Sequence, residues 1–154
     1  MPIAIREAKP DDAGPIMQIA AESPMAPQWS AEQYAEMFGQ ERSRARILLV
    51  AESLLHDERQ VLGFLVASNV GDEWELENIV VGPSAKRQGL GTKLMQELIK
   101  RAEIAGGHTV HLEVRASNSS ARGLYEKCGF GFASHRKAYY AHPQEDAILY
   151  RLSL

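Results

Sequence analysis

Between an apolar run, ENIVVGP (Glu77–Pro83), and a stretch of helical periodicity lies KRQGLGTKLM, residues Lys86–Met95. Gly89 and Gly91, set one residue apart at a strand-to-helix turn, are a means of holding phosphate. A helix start presents N–H groups without partners and a partial positive charge. Glycines leave the backbone open to close approach, and Arg87 adds a fixed charge beside them. For a bare GxG, the plainer reading that the glycines simply permit a tight turn carries equal weight.

Nucleotide-binding readings fit poorly. A dinucleotide fingerprint, GxGxxG, needs a third glycine where Leu94 stands, with an acidic residue about 20 positions on at a strand end. Glu113 sits at about that distance, but the fingerprint opens a βαβ unit in a largely parallel sheet, and here antiparallel strands precede it. A P-loop requires GxxxxGK followed by Ser or Thr, and the chain contains no such string. Cys128, the single cysteine, has no base near it in sequence and reads as a small core residue. The five histidines lack metal-ligand spacing, so no metal is expected. Glu113 shares a strand face with His111 and Arg115, as a solvated or salt-bridged carboxylate would. Tyr125 falls near a helix end, where a half-buried structural tyrosine is usual, and Asn118 fits a helix cap.

The elements that must position these residues are legible. Ile3–Glu7 alternates apolar with polar, as a half-buried strand does. Asp11 or Asp12 can cap a helix carrying Ile16, Ile19 and Ala20 inward. Pro24 and Pro27 break the chain, and Ser30 with Gln33 reads as a capping box for a helix through about Phe38. Ile47–Glu52 and Val61–Val70 are β-rich runs around the polar turn HDERQ, a hairpin signal, and Trp74–Val81 is a further strand. From Gly89, the recurrence of Leu90, Leu94, Leu98 and Ala102 predicts an amphipathic helix, stopped by Gly106-Gly107. His108–Val114 reads as a strand. Ser117 or Asn118 caps a short helix that Gly129 ends. Two strands follow, about Phe132–Tyr140 and Ala147–Leu152. The strands on either side of the Gly89 helix are joined by a crossover and are expected to be parallel; the others are expected to be antiparallel. The fold expected is an α/β (α+β) mixed sheet with helices on its faces.

A chain of 154 residues fits one domain spanning 1–154. Hydrophobic content of 45% and charged content of 24% are ordinary for a soluble globular protein. A net charge of −3 gives no basic footprint for general nucleic-acid binding. The opening MPIAIREAKPDD lacks the layout of a secretory signal, and no apolar run reaches the ~18 residues of a membrane span. The expectation is a cytoplasmic protein, monomer or weak dimer, with no nucleic-acid or membrane partner.

KRQGLG resembles the pyrophosphate-binding motif Gln/Arg-x-x-Gly-x-Gly/Ala of the GNAT (Gcn5-related N-acetyltransferase) superfamily, with Lys86, Gly89 and Gly91 at its defined positions. Lysine at the first is a mild departure, since the motif works through backbone amides. The resemblance implies the GNAT fold: a mixed, mostly antiparallel seven-stranded sheet with about four helices on its faces. Its central parallel pair splays to admit acetyl-coenzyme A as co-substrate. Within the superfamily the chain is most similar to the RimI type, which acetylates the N-terminal alanine of a small-subunit ribosomal protein. The strings that carry this are LEVRASNSSARGLYEKCGF (Leu112–Phe130), RKAYY (Arg136–Tyr140), EDAI (Glu145–Ile148), WELENIVV and the pair Trp29-Ser30. The resemblance is dense over about residues 73–150 and thin before that.

An amine acetyltransferase must free the attacking nitrogen of a proton, stabilise charge on the carbonyl oxygen and protonate the departing thiolate. By the resemblance, Glu113 matches the general base and Tyr125 the general acid. The backbone of Ile79, Val80 and Val81 matches the segment that pairs with the pantetheine arm and offers an N–H to the oxyanion. Arg87, Gln88, Gly89, Leu90, Gly91 and Thr92 match the phosphate loop, and Asn118 a further coenzyme contact. An α-amine has a reference pKa about 2.4–2.7 units below that of lysine, so exposing lysine's lone pair at neutral pH costs roughly 3.3–3.7 kcal/mol more. This favours a protein N-terminus as acceptor, with a small-molecule amine or a lysine as the nearer alternative and a non-catalytic acyl-coenzyme A sensor as the more distant one. Glu73, Glu75 and Glu77 alternate on one strand face, where they either attract a cationic peptide or form an ordinary solvated face.

Overall fold

The structure, a computed structural model, describes residues 2–39, 45–55 and 58–154. β1 (Ile3–Glu7) leads through a short 3-10 turn into α1 (Ala13–Ala21) and α2 (Ala31–Phe38). A meander follows: β2 (Arg46–Leu55), β3 (Glu58–Val70) and β4 (Glu73–Val81). Then come α3 (Leu90–Ile104), β5 (Thr109–Arg115), α4 (Ser119–Lys127), β6 (Gly131–Tyr140) and β7 (Glu145–Ser153). The seven strands form one sheet in the order β1-β2-β3-β4-β5-β7-β6. β4 and β5 are its parallel pair; the other pairings are antiparallel. The element order and the mixed sheet agree with the sequence reading. β7 lies between β5 and β6, because the chain lays β6 at the edge before returning into the gap.

Two apolar layers hold the sheet. On one face the α3 stripe of Leu94, Met95, Leu98 and Ala102 packs with Leu49, Leu65, Trp74, Leu76, Val110, Leu112 and Val114, joined by Tyr125, Phe130 and Tyr150. On the other, Ile16, Ile19 and Ala20 of α1 and Tyr34 and Met37 of α2 cover Val50, Phe64, Val66 and Val80. The second layer ends at β4, so the corresponding face of β5, carrying His111, Glu113 and Arg115, has no helix of that layer over it.

Local signals behave as the residue types dictate, with two differences. Ser30 and Gln33 close a reciprocal capping box, with Gln33 N–H donating to Ser30 Oγ at 3.2 Å and Ser30 N–H to Gln33 Oε1 at 2.8 Å. Asp12 occupies the N-cap position of α1 but its carboxylate makes no cap bond there. It accepts instead from Arg6 Nη1 at 2.8 Å, Arg6 Nη2 at 3.0 Å and Lys9 N–H at 2.7 Å. The β2–β3 hairpin is longer than the sequence suggests: Glu58, Arg59 and Gln60, expected in the turn, pair with Leu55, Leu54 and Ser53. The rest of that expected turn, residues 56 and 57, lies outside the described residues.

The feature that matters most for a site is a bulge. Val66 pairs with Asn78 and the next residue, Ala67, with Leu76, so Glu77 is an extra residue in β4. A bulge bends its strand and increases the local twist. β4 then leaves β5: the parallel ladder consists of Glu73↔Thr109, Trp74↔Val110 and Glu75↔His111. Beyond that point, among the described residues, no further pair joins Ile79–Val81 to β5, and the two strands frame an opening.

Candidate active site

The opening is bounded on one side by β4 and on the other by β5, with the start of α3 at its end. At that start Gly89 takes a left-handed conformation (φ 76°) and serves as the α3 N-cap, without a side-chain cap bond. Arg87 is also left-handed, at φ 66°. Lys86, Arg87, Gln88 and Gly89 are exposed. The first-turn N–H groups of Leu90, Gly91 and Thr92 have no intrahelical acceptor and point along the helix axis, away from the helix, where a helix start attracts anions. The two glycines have different local causes. A Cβ at Gly89 would meet nothing, but its positive φ suits glycine. A Cβ at Gly91 would come within 3.1 Å of Leu124 Cδ2, so this glycine lets α4 seat against α3.

Glu113 points to the face opposite Val110, Leu112 and Val114, on the same side of the sheet as His111, and is half-buried. Arg136 Nη1 lies 3.4 Å from Glu113 Oε1, with the Arg136 side chain 52% exposed. Tyr125 is buried, contrary to the half-buried position expected of it. Its ring lies 6.1 Å from those of Phe130 and Tyr150, centre to centre. Burial, with a smaller contribution from Tyr140, pushes the Tyr125 phenol well above the ordinary tyrosine range, so it keeps its proton at neutral pH. Asn118 is the N-cap of α4, with Oδ1 accepting from Ala121 N–H at 3.2 Å. Arg122 anchors the same helix by donating to Ala116 O at 2.9 Å and to Tyr150 Oη at 3.0 Å. Burial raises the Cys128 thiol, which fits a core residue better than a nucleophile.

By the RimI resemblance the sequence matched Arg136, Tyr139 and Tyr140 to the substrate side, where a peptide would lie; it missed their contacts with Glu113 and Arg115. Tyr140 is raised first by burial and then by the charge of Glu113, and it in turn acts on Tyr125. Arg136 reaches Glu113, and Arg115, two residues along the same face of β5, reaches Tyr140. Arg115 lies over the Tyr140 ring at 4.4 Å, Arg136 over the Tyr139 ring at 5.2 Å, and the two tyrosine rings meet edge-on at 5.2 Å. The alternation of Glu113 with Arg115 was the available signal; the pairing of both with Arg136–Tyr140 is non-local. Of the acidic row on β4, Glu77 lies 3.8 Å from Arg46 Nε and Glu73 accepts from Thr109 Oγ1 at 3.4 Å. Among the described residues, no group of three or more His, Cys, Asp or Glu is placed to hold a metal ion. No helix there is long and apolar enough to cross a membrane.

The sequence profile described as Acetyltransferase (GNAT) family matches residues 15–130. The chain belongs to this family. Among curated GNAT relatives, the [ribosomal protein bS18]-alanine N-acetyltransferase of Salmonella typhimurium is 44% identical over 103 residues, covering 66% of this chain and 69% of that protein. The putative enzyme of the same name from Bacillus subtilis is 28% identical over 146 residues, covering 95% and 92%. Among solved structures, the ribosomal-protein-S18-alanine N-acetyltransferase of Escherichia coli superposes with a TM-score of 0.83 at 32% identity, covering 99% of this chain and 94% of that one. The GNAT fold expected from KRQGLG is thus the fold observed, with its mixed seven-stranded sheet, four α-helices and parallel β4–β5 pair. The protein is an N-acetyltransferase.

Proposed function

We propose that this GNAT enzyme transfers the acetyl group of acetyl-coenzyme A to a protein N-terminal α-amine in the cytoplasm. The acceptor we assign is the N-terminal alanine of a small-subunit ribosomal protein. The observation that supports the reading is the parting of β4 from β5 after three residue pairs, with Glu113 on β5 and the Gly89 turn at the start of α3. The names of the Salmonella, Bacillus and Escherichia relatives support the acceptor.

The residues present suit the coenzyme. The partnerless β5-facing edge of Ile79, Val80 and Val81 offers backbone groups to an extended amide arm. The turn of Arg87, Gln88, Gly89, Leu90, Gly91 and Thr92 offers N–H groups to a diphosphate, and Asn118 stands at the start of α4 as a further contact. The bound coenzyme supplies an activated thioester. Glu113 accepts a proton from the acceptor's ammonium group, freeing the nitrogen lone pair for attack on the thioester carbonyl carbon. A backbone N–H of Ile79–Val81 faces the charge that develops on the carbonyl oxygen. As the carbon–sulfur bond breaks, Tyr125 gives its proton to the sulfur, and the nitrogen sheds its second proton to solvent, from which the phenol is restored. Attack is direct, within a ternary complex. Arg136 must yield its place at Glu113 to the incoming ammonium, and for an exposed partner this costs about 1 kcal/mol or less.

The test is turnover of a short peptide copying the ribosomal protein's N-terminus, followed by thiol release and by mass. Acetyl should appear on the alanine α-amine and not on a lysine of the same peptide with its N-terminus blocked; the reverse pattern sinks the acceptor assignment. In the same assay Glu113→Gln should lower kcat/KM by about two orders of magnitude, as expected for a lost acid–base group. Acetyl-coenzyme A affinity, measured by calorimetry, should be unchanged in that variant.

A further inference from the structure

The ladder of the β6–β7 hairpin, which carries Tyr140, is interrupted near its tip. β6 and β7 pair up to Arg136↔Ala147 with one irregularity between Phe132 and Ser134, and the next pair is Tyr140↔Glu145. Lys137, Ala138 and Tyr139, between these pairs, form a bulge within β6 in which Ala138 is left-handed (φ 53°). Asp146 holds that bulge, accepting Ala138 N–H at 2.7 Å and pairing with His135 Nε2 at 2.8 Å. These contacts stop at the bulge and leave the turn beyond Tyr140 to be held by something else.

That something is Arg115, on the same β5 face as Glu113. Its guanidinium stacks on the Tyr140 ring at 4.4 Å. Nη1 donates to the carbonyl oxygen of Pro143 at 3.1 Å, Nη2 lies 3.4 Å from that of Ala141, and Nη1 is 3.5 Å from Glu145 Oε1. All four partners belong to the β6–β7 turn or the residues flanking it. Glu145 carries the connection further, because its Oε2 accepts Ser117 N–H at 2.5 Å, one residue before the α4 cap Asn118. A planar guanidinium that stacks and forks at once fixes geometry in a way an ammonium does not. The side chain is 18% exposed, too enclosed for an incidental surface ion pair.

We propose that Arg115 is a positioning residue for the acceptor: it locks the β6–β7 turn and the Tyr140 ring beside Glu113, so that the incoming amine meets a preformed wall. The inference rests on the acetyltransferase reading above and adds to it the residue that builds the acceptor side. Ordering this turn beforehand spares the acceptor that cost on binding. Among its hydrogen-bonded and ring partners the Arg115 guanidinium touches neither β4 nor the α3 start, and it reaches the α4 start only indirectly, through Glu145 and Ser117.

The experiment is steady-state kinetics of Arg115→Gln and Arg115→Lys in the full chain, with Arg151→Gln as an exposed control on β7. Arg115→Gln should raise the acceptor KM about tenfold and leave the acetyl-coenzyme A KM within about twofold. Arg115→Lys, which keeps the charge but not the stack and fork, should stay nearer to the glutamine variant than to wild type. The proposal is overturned if both KM values rise alike, if neither moves, or if lysine restores the acceptor KM in full. Melting temperature and acetyl-coenzyme A KM report a variant that is merely misfolded, and Tyr140→Ala should then reproduce the selective rise in acceptor KM. The variants are read on whichever amine the wild type acetylates. Failure of the alanyl peptide therefore sinks the acceptor assignment, whereas the ratio of the two KM values judges Arg115.

Discussion

Tyr125→Phe should lose about two to three orders of magnitude in kcat while binding acetyl-coenzyme A as the parent does, if Tyr125 is the general acid. The substitution removes one oxygen from a ring that is 6% exposed and held between Phe130 and Tyr150, so the packing survives. A thiolate leaving without a proton is a poorer leaving group, and the defect should shrink with acyl donors whose thiols are more acidic. The pH profile gives a second check. Burial, then Tyr140, hold the phenol above its ordinary range. The acid therefore stays protonated through neutral and mildly alkaline pH, and its ionisation should contribute no loss of activity between pH 7 and 9. A steep decline between pH 7 and 9 that disappears in the phenylalanine variant would assign Tyr125 a different role.

The second large effect is on stability. Arg6→Met should destabilise the protein by about 3 kcal/mol, at the lower end of the cost of breaking a buried pair, because the Arg6 side chain retains 25% exposure. For a chain of this size that corresponds to a fall in Tm of about 6–12 °C. Arg6 joins two carboxylates that are otherwise enclosed, Asp12 at 2.8 Å and Glu52 at 2.6 Å. The nearby Arg59, 70% exposed and 3.5 Å from Glu52, is a weak substitute. The Arg6 hydrogen bond lowers the pKa of both Asp12 and Glu52, against their burial. Groups with depressed folded pKa values stabilise fully above the unfolded carboxylate range near 4, and that contribution is lost as pH falls through the folded values. The gap in Tm between Arg6→Met and wild type should therefore be constant near neutrality and close below about pH 4. A gap that persists unchanged in acid would show that the loss comes from packing of the arginine stem. The network ties β1, β2 and the start of α1 together.

Where a residue's role is decided within its own few neighbours, the sequence reading and the structure agree. Ser30 and Gln33 cap α2, Gly129 at φ 96° ends α4, and the α3 stripe of Leu90, Leu94, Leu98 and Ala102 is buried as its spacing predicts. The Gly89 turn at the start of α3 was visible for the same reason. Features fixed by distant partners were not. WELENIVV alternates without a break, and nothing in it marks Glu77 as a bulge, because the extra residue exists only relative to the register of β3. Asp12 looked like a cap until Arg6, on a different element, claimed its carboxylate. Glu58–Gln60 read as turn by composition, yet pairing across the hairpin outweighs local preference there. Arg115 was seen only as a neighbour of Glu113, since the turn it grips lies 26 to 28 residues further along the chain.

The short parallel ladder has one more consequence. Two blocks of sheet, β1 to β4 and β5-β7-β6, share three residue pairs before they part, with α3 bridging them through Leu94, Leu98 and Ala102. A ligand arm laid along the vacant edge of β4 would act as a missing rung, stitching the seam shut. Occupancy should then slow amide exchange at residues 76–81 more than anywhere in the meander. The sheet is least fastened at the seam between β4 and β5, and a ligand seated there would complete the fastening.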